Sequence, residues 1–376
     1  RNLLRIFFLQ EKSKKLMAGG HKIGRVNDTV VVGAGTMGAG IAQWLSSRGL
    51  NVLLKDVNDE SIDRGLKQIG KLFVDGVRKH KVDRPTARDS LSRISSTTDN
   101  VSLHSKDLVI EAIVERLDVK QKVLAQLEET LPDGAIIATN TSALSIDEMA
   151  ESLKHPERFV GIHFFNPVHQ MKLVEVIKGR QTSDETVERA VKFVQSIGKL
   201  PIVVKDSPGF VVNRVLVPYL VKSAELLDQE FDMTAIDNAM VKFGMPMGPF
   251  RLMDEIGLDV CYHVARDLEQ RLDIQSDGIS HLVSRIGQKE LGKKTGKGFY
   301  TYKNGKAVRK KSNQNVSSAA MTLVDTMIDE SQKIVAEGVV ESSDMLDFAM
   351  IMGTGWAPFR GGPLYYDESR HELSSF

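Results

Sequence analysis

The 376-residue chain has almost no cysteine, no excess of either charge and no long uninterrupted apolar run. Cys261 stands alone, which excludes an intrachain disulfide framework and a cysteine-rich metal site and allows a reducing compartment. Lys and Arg number 50 against 49 Asp and Glu, so the basic excess of a general nucleic-acid binder is missing, while a local basic patch for a phosphorylated small ligand is still possible. The apolar stretch from Gly209 to Val221 is interrupted by Asn213 and Arg214 and falls short of the roughly 18 residues of a spanning helix. No cluster of His, Cys, Asp and Glu has metal-ligand spacing, so no metal is expected. The first nine residues, RNLLRIFFL, are basic and apolar but lack a signal-peptide cleavage pattern. With the initial Arg1 they read as part of a fragment or processed chain, in which residues 1–24 are a linker helix from an upstream domain, stopped at Gly19 and Gly20. A cytoplasmic location is the expectation.

What is present is alternation. Strands are expected at 29–33, 51–56, 106–114, 135–139, 159–165, 173–177 and 201–205. Helical stretches lie between them, at 36–45, 57–81, 119–131, 146–153 and 186–197. Strand and helix in turn predict an α/β, Rossmann-type doubly wound sheet over residues 25–206. Ser207-Pro208-Gly209 then signals a helix entry, and residues 207–302 read as a mostly helical domain with helices at 213–228, 234–243, 253–272 and 279–286. A Gly-rich loop (291–298) and a strand-like segment (299–302) close it. A polar linker is expected over 303–317, and residues 318–376 form a second, truncated helical repeat ending in a Gly- and Pro-rich loop. The duplication rests on a crude pattern in which Asp237 precedes Pro249-Phe250 much as Asp347 precedes Pro358-Phe359. A chance match is the competing reading.

The glycine-rich loop Gly33, Ala34, Gly35, Thr36, Met37, Gly38 follows a strand and opens a helix, and Asp56 sits at the end of the next strand. That context is what a dinucleotide fingerprint requires; a GxGxxG by itself is weak. Gly33 permits the turn, Gly35 leaves room for a pyrophosphate, and Gly38 allows helix and strand to approach. Asp56 can accept from a ribose 2′-OH and would repel a 2′-phosphate, which favours NAD over NADP. FAD uses the same loop, but the chain has no second Gly-rich phosphate motif and carries a His/Glu pair suited to hydride chemistry. A structural glycine turn serving another nucleotide is the bland alternative.

Further candidates cluster near expected strand ends, where open α/β sheets bind ligands: the Thr139-Asn140-Thr141-Ser142 run, His163, Asn166 and Glu175. Oxidation of a hydroxyl needs a base that titrates near neutrality, which suits His163. A carboxylate behind the ring fixes its tautomer, and Glu175 follows at a spacing that fits a turn between adjacent strands. Ser142 and Asn213 could hold the substrate oxygen, and Asn140 is a candidate cofactor contact. A buried structural histidine beside two phenylalanines is the alternative for His163, and His169 is a minor competitor.

These residues carry a likeness. The segments VVVGAGTMGAGIAQ (30–43), DLVIEAIVE (107–115), NTSALSI (140–146), GIHFFNPVHQMKLVEVI (161–177), KDSPGFVVNR (205–214), PMGPFRLMDEIGLD (246–259) and GKKTGKGFY (292–300) resemble the L-3-hydroxyacyl-CoA dehydrogenase family, in order and over most of residues 26–302. The resemblance implies that His163 is the catalytic base and Glu175 its partner, that Ser142 and Asn213 touch the substrate's C3 oxygen, and that Asn166 helps hold substrate or nicotinamide. It places Glu115 and Lys120 around the NAD ribose, Lys294 as a weaker cofactor contact, and the basic helix with Lys71, Arg78 and Lys79 near the CoA moiety, where a solvated charged face is the alternative. Asp254 reads as structural. The tail EGVVESSDMLDFAMIMGTGWAPFRGGPL resembles the second helical repeat of multifunctional fatty-acid oxidation alpha subunits, without their enoyl-CoA hydratase domain. This repeat has no counterpart of Asn213.

The implied reaction is reversible NAD-dependent oxidation of (S)-3-hydroxyacyl-CoA to 3-oxoacyl-CoA. A dehydrogenase of a free 3-hydroxy acid and a non-catalytic nucleotide-binding scaffold are the rival readings. A thiolase subunit or a second copy of the chain are expected partners.

Overall fold

A computed structural model of the chain describes residues 2–16, 26–272 and 277–374. The helix stop expected at Gly19 and Gly20 lies outside the described residues. The chain divides into two compact units, Glu11–Asp206 and Arg1–Gln10 together with Ser207–Phe376. Helix α1 (Asn2–Lys14) contributes residues to both.

The first unit is built on an eight-stranded sheet in the order β3-β2-β1-β4-β5-β6-β7-β8. Its strands are β1 (Asp28–Val32), β2 (Asn51–Lys55), β3 (Ile94–Thr97), β4 (Leu108–Glu111), β5 (Ile136–Thr139), β6 (Phe159–Phe164), β7 (Leu173–Lys178) and β8 (Leu200–Lys205). The first six run parallel; β7 turns back antiparallel to β6, and β8 is parallel to β7. Helices α2 (Thr36–Ser47), α3 (Asp59–Arg78), α4 (Arg84–Ser92), α5 (Leu117–Glu128), α6 (Ile146–Ala150) and α7 (Asp184–Ser196) connect them. Strands covered on both faces read as unbroken apolar runs, and Val30, Val31, Leu108, Val109, Ile110, Ile136 and Ile137 have no exposed surface. Each such side chain contributes about 1.5–3 kcal/mol by leaving water.

Two elements of this unit go beyond the expected set. Helix α4 starts at the Asp83 cap, whose carboxylate accepts the Thr86 N–H, with Pro85 in its first turn. Strand β3 is short and polar and pairs only with β2, so it carries no apolar run to mark it.

The second unit is helical: α8 (Val212–Glu225), α9 (Met233–Phe243), α10 (Pro249–Ile256), α11 (Leu258–Leu272), α12 (Ile279–Gly287), α13 (Ser317–Ala336), α14 (Ser343–Thr354) and α15 (Pro363–Ser374). The single helix expected over 253–272 begins earlier and is broken in two at Gly257, which has φ +105°. The expected linker after residue 302 contains a strand. β9 (Thr301–Lys303) and β10 (Lys306–Val308) form a hairpin across Asn304-Gly305, both at positive φ, as a two-residue hairpin turn requires. The expected closing loop instead continues into α15.

The arrangement that Asp237 and Asp347 share has a different register from the pattern read in the sequence. Asp237 accepts the Phe250 N–H at the start of α10, and a Cβ on Gly248 would lie 2.3 Å from Asp237. Asp347 accepts the Leu364 and Tyr365 N–H groups at the start of α15, and a Cβ on Gly362 would lie 2.3 Å from Asp347. The counterpart of Gly248-Pro249-Phe250 is therefore Gly362-Pro363-Leu364, not Pro358-Phe359.

Candidate active site

The glycine-rich loop joins β1 to α2. Gly33 has φ +105°, and a Cβ there would meet the Ala112 carbonyl oxygen at 2.5 Å. A Cβ on Gly38 would lie 1.7 Å from the Gly33 oxygen, so helix and loop touch there. Gly35, the cap residue of α2, differs: a Cβ there meets nothing within 4 Å. Gly35 and Thr36 are exposed and Met37 is half-buried. An open face at the N-terminus of a helix fits an anionic pyrophosphate, because unpaired N–H groups and the helix dipole point there. Asp56 follows β2; its carboxylate accepts the Ala34 N–H at 2.6 Å and the Val57 N–H at 2.7 Å. It thus fastens the loop itself, with lone pairs left for a ribose hydroxyl. These residues fit a dinucleotide.

On the other side of the loop, Glu111 ends β4 inside the protein. Its oxygens accept two hydrogen bonds from the Lys120 ammonium at 2.8 and 2.9 Å, one from the Thr139 hydroxyl at 2.6 Å and one from the Ile113 N–H at 2.7 Å. Both Glu111 and Lys120 are fully buried. Lys120 therefore has no exposed surface to offer a ligand; it lies beneath Glu115, 3.4 Å from the Glu115 carboxylate. Glu115, two-fifths exposed, accepts the Thr141 hydroxyl at 2.5 Å and the Ser142 N–H at 2.7 Å through one oxygen. Asn140 ties β5 to β6 by accepting the Phe164 N–H at 2.9 Å. Thr139 belongs to the run expected near the site, whereas Glu111 is not among the residues expected from sequence. The signal was a lone carboxylate at the end of an apolar strand with a lysine nine residues on, as a buried charge must be paired.

His163 and Glu175 face each other in register on antiparallel β6 and β7. The His163 Nδ1 lies 2.7 Å from Glu175 Oε2, with Glu175 fully buried and His163 nearly so. A carboxylate at Nδ1 makes that nitrogen the N–H donor and leaves Nε2 as the basic atom. Phe165 packs on the imidazole, ring centres 4.4 Å apart. Beyond β6 come exposed Asn166 and, through a cis peptide, Pro167. The turn that follows is held by the Lys199 ammonium, which donates to the Val168 and Met171 carbonyls and sits 3.8 Å above Trp44. Burial, with Arg48 nearby, pushes Lys199 down to about 7. His169 lies in this turn; burial, then the charges of Lys81, Lys199 and Lys79, lower it. Lys79, exposed at the end of α3, shares that basic neighbourhood.

The helical unit holds the remaining candidates. Asn213 is the second residue of α8, partly exposed between buried Val212 and Arg214. Arg214 pairs with Glu330 of α13 at 3.0 Å and with Glu337, the residue that caps the C-terminus of α13, at 2.7 Å, so α13 and its cap anchor the start of α8. Lys294 is bound by both oxygens of Asp259 in a half-exposed pair. Asp254, read as structural, accepts the Phe299 and Tyr300 N–H groups at 2.8 Å each and the Tyr302 hydroxyl at 3.1 Å.

A mostly parallel sheet with a glycine-rich loop after β1 that fits a dinucleotide, and a His–Glu pair on the neighbouring strands β6 and β7, are the features of an NAD-dependent oxidoreductase. Residues 28–207 match the model of the 3-hydroxyacyl-CoA dehydrogenase NAD binding domain, and residues 209–302 that of the 3-hydroxyacyl-CoA dehydrogenase C-terminal domain. The chain is similar to a solved (S)-3-hydroxybutyryl-CoA dehydrogenase from Ralstonia eutropha, at 36% identity and TM-score 0.70, covering 74% of this chain and all of that one. It is also similar to the 3-hydroxybutyryl-CoA dehydrogenase of Escherichia coli K12, at 29% identity and TM-score 0.82, over 92% of each chain. The protein belongs to the 3-hydroxyacyl-CoA dehydrogenase family. Among curated relatives, the fatty acid oxidation complex subunit alpha of Idiomarina loihiensis is 38% identical over 377 residues, 95% of this chain and 52% of that protein. The chain thus spans about half the length of the curated relatives it matches. No helix among the described residues is long and apolar enough to cross a membrane.

Proposed function

We propose that the chain catalyses reversible NAD-dependent oxidation of (S)-3-hydroxyacyl-CoA to 3-oxoacyl-CoA within fatty-acid β-oxidation. The observation that carries this is the buried His163–Glu175 pair on β6 and β7, in a chain whose relatives are named for that substrate class and pathway. Bound NAD supplies the hydride acceptor. Gly33, Gly35, Thr36, Met37 and Gly38 hold its pyrophosphate, Asp56 its adenosine ribose and Glu115 its other half. Lys120 acts through Glu115, and Asn140 through the alignment of β5 with β6.

His163 accepts the substrate hydroxyl proton at Nε2, and Glu175 steadies the imidazolium that forms. Ser142 and Asn213 orient the oxygen, Asn166 the neighbouring part of the substrate, and Lys79 meets the CoA phosphates. Lys294 is the weaker cofactor contact. Residues 25–206 form the cofactor domain, 207–302 the helical dehydrogenase domain, and 318–376 a degenerate repeat. In the cytoplasm the chain would work with a thiolase subunit or a second copy of itself, a reading supported by the relatives' name as a complex subunit.

The test is NADH oxidation with acetoacetyl-CoA and longer 3-oxoacyl-CoAs, beside free acetoacetate. Thioesters should turn over and the free acid should not. His163→Ala should lower kcat roughly 10²–10⁴-fold with NADH affinity unchanged. Near-normal turnover in that variant rejects the mechanism, and NADH binding without any turnover in the parent chain leaves only a nucleotide-binding scaffold.

A further inference from the structure

We infer that Glu115 sets the cofactor preference of this site toward the oxidised dinucleotide, by placing on the nicotinamide side a carboxylate that shares its one nearby ammonium, Lys120, with buried Glu111. The inference rests on the proposed seating of the dinucleotide. Two strands flank the glycine-rich loop after β1. On the β2 side, Asp56 fastens Ala34. On the β4 side, the Ala112 carbonyl occupies the space that a Cβ on Gly33 would need, and the same segment continues to Glu115. A pyrophosphate on the loop with its adenosine ribose toward Asp56 leaves the other half of the dinucleotide over β4 and β5. That direction is also toward β6 and His163, since the sheet order continues β1-β4-β5-β6.

The charges there do not balance. Glu111, Glu115 and Lys120 bring two carboxylates and one ammonium. The ammonium makes both of its hydrogen bonds to Glu111, at 2.8 and 2.9 Å, and stands 3.4 Å from Glu115. The adjacent Arg116 is turned to Asp118, at 2.6 Å. Glu115 is the exposed member of the cluster, and the Thr141 hydroxyl and Ser142 N–H hold it in place. A charge held in a fixed place acts more strongly on a bound ring than a mobile one does. The nicotinamide ring is a cation in NAD and neutral in NADH, while the phosphates are the same in both. An excess negative charge near the ring therefore discriminates between the two forms.

The test titrates NAD by calorimetry and NADH by its fluorescence, with no acyl substrate, in the parent chain, Glu115→Gln and Glu115→Asp. In Glu115→Gln the ratio of the NAD dissociation constant to the NADH dissociation constant should rise on the order of 3- to 10-fold. In Glu115→Asp the ratio should stay near the parent value even if both forms bind more weakly. Raising ionic strength should raise the same ratio in the parent chain, a measurement that stands if the Gln variant fails to fold. Weakening of both forms by one factor in Glu115→Gln overturns the inference but keeps Glu115 as a cofactor contact. Two unchanged constants overturn the seating over β4 as well.

Discussion

At the scale of single residues, the site depends on pairs formed across strands. Glu175 is fully buried, with the His163 ring 2.7 Å from its carboxylate. Changing Glu175 to Gln keeps the size and a polar contact but removes the charge that favours imidazolium and fixes the tautomer. We expect kcat to fall about 10²–10⁴-fold, with NADH affinity unchanged, as steady-state rates and NADH fluorescence titration would show. A fall in NADH affinity to match would instead mean that the pair holds the cofactor domain together. This pair was legible in the sequence because a turn between neighbouring strands fixes the spacing, and the observed register sets the two residues opposite each other. Lys120 was not legible in the same way. The motif shows a lysine near a ribose; only packing shows that its side chain has no exposed surface and that Glu111 holds it.

At the scale of elements, the glycine-rich segment that leads from β1 into α2 contains, in Gly35 and Gly38, two glycines with opposite reasons to exist. A Cβ on Gly38 collides with the Gly33 carbonyl, while a Cβ on Gly35 has nothing near it. Gly38→Ala should therefore lower the melting temperature and displace the loop, as loss of both stability and NADH binding. Gly35→Ala should leave the melting curve almost unchanged and weaken NADH binding at least tenfold, because only a bound pyrophosphate comes close enough to meet the new methyl. Equal stability losses in the two variants would contradict this division. The motif told which glycines to expect but not which of them pack against protein. Periodicity located α3 and α13 because each buries one face. It missed β3, a polar edge strand, and β10, whose Asn304-Gly305 turn signal was read as linker. It also ran α10 and α11 together, since Gly257 breaks the helix without interrupting the apolar pattern.

At the scale of the whole molecule, the helical unit contains two versions of one device, an aspartate under a Gly-Pro helix start. In the first, the Tyr300 hydroxyl donates to the outer oxygen of Asp237 at 2.9 Å; in the second, Arg5 of α1 pairs with Asp347 at 3.0 Å. The repeated pattern was visible in the sequence, but its register depended on which glycine lies against the carboxylate. Burial pushes Asp237 up to about 6, against the opposing hydrogen bonds from Tyr300 and Phe250, and pushes Asp347 up to about 7. An unfolded aspartate titrates near 3.9. Between about pH 4 and pH 6 the native chain keeps a proton on Asp237 that the unfolded chain has released. This group's contribution to stability therefore falls as pH rises through that window, by at most about 1.4 kcal/mol per pH unit. Asn at position 237 keeps an acceptor for the Phe250 N–H and can donate to the Tyr300 oxygen, but it does not titrate. The stability of the parent chain relative to Asp237→Asn should thus increase on going from pH 7 to pH 4, with Asp347 cancelling because both chains carry it. The two tryptophans, Trp44 and Trp356, lie one in each unit, so urea unfolding followed by Trp356 fluorescence in a Trp44→Phe background reports on the helical unit. A difference between the two chains that stays flat from pH 4 to pH 7 would show that Asp237 is already ionised across the range, with its hydrogen bonds outweighing its burial.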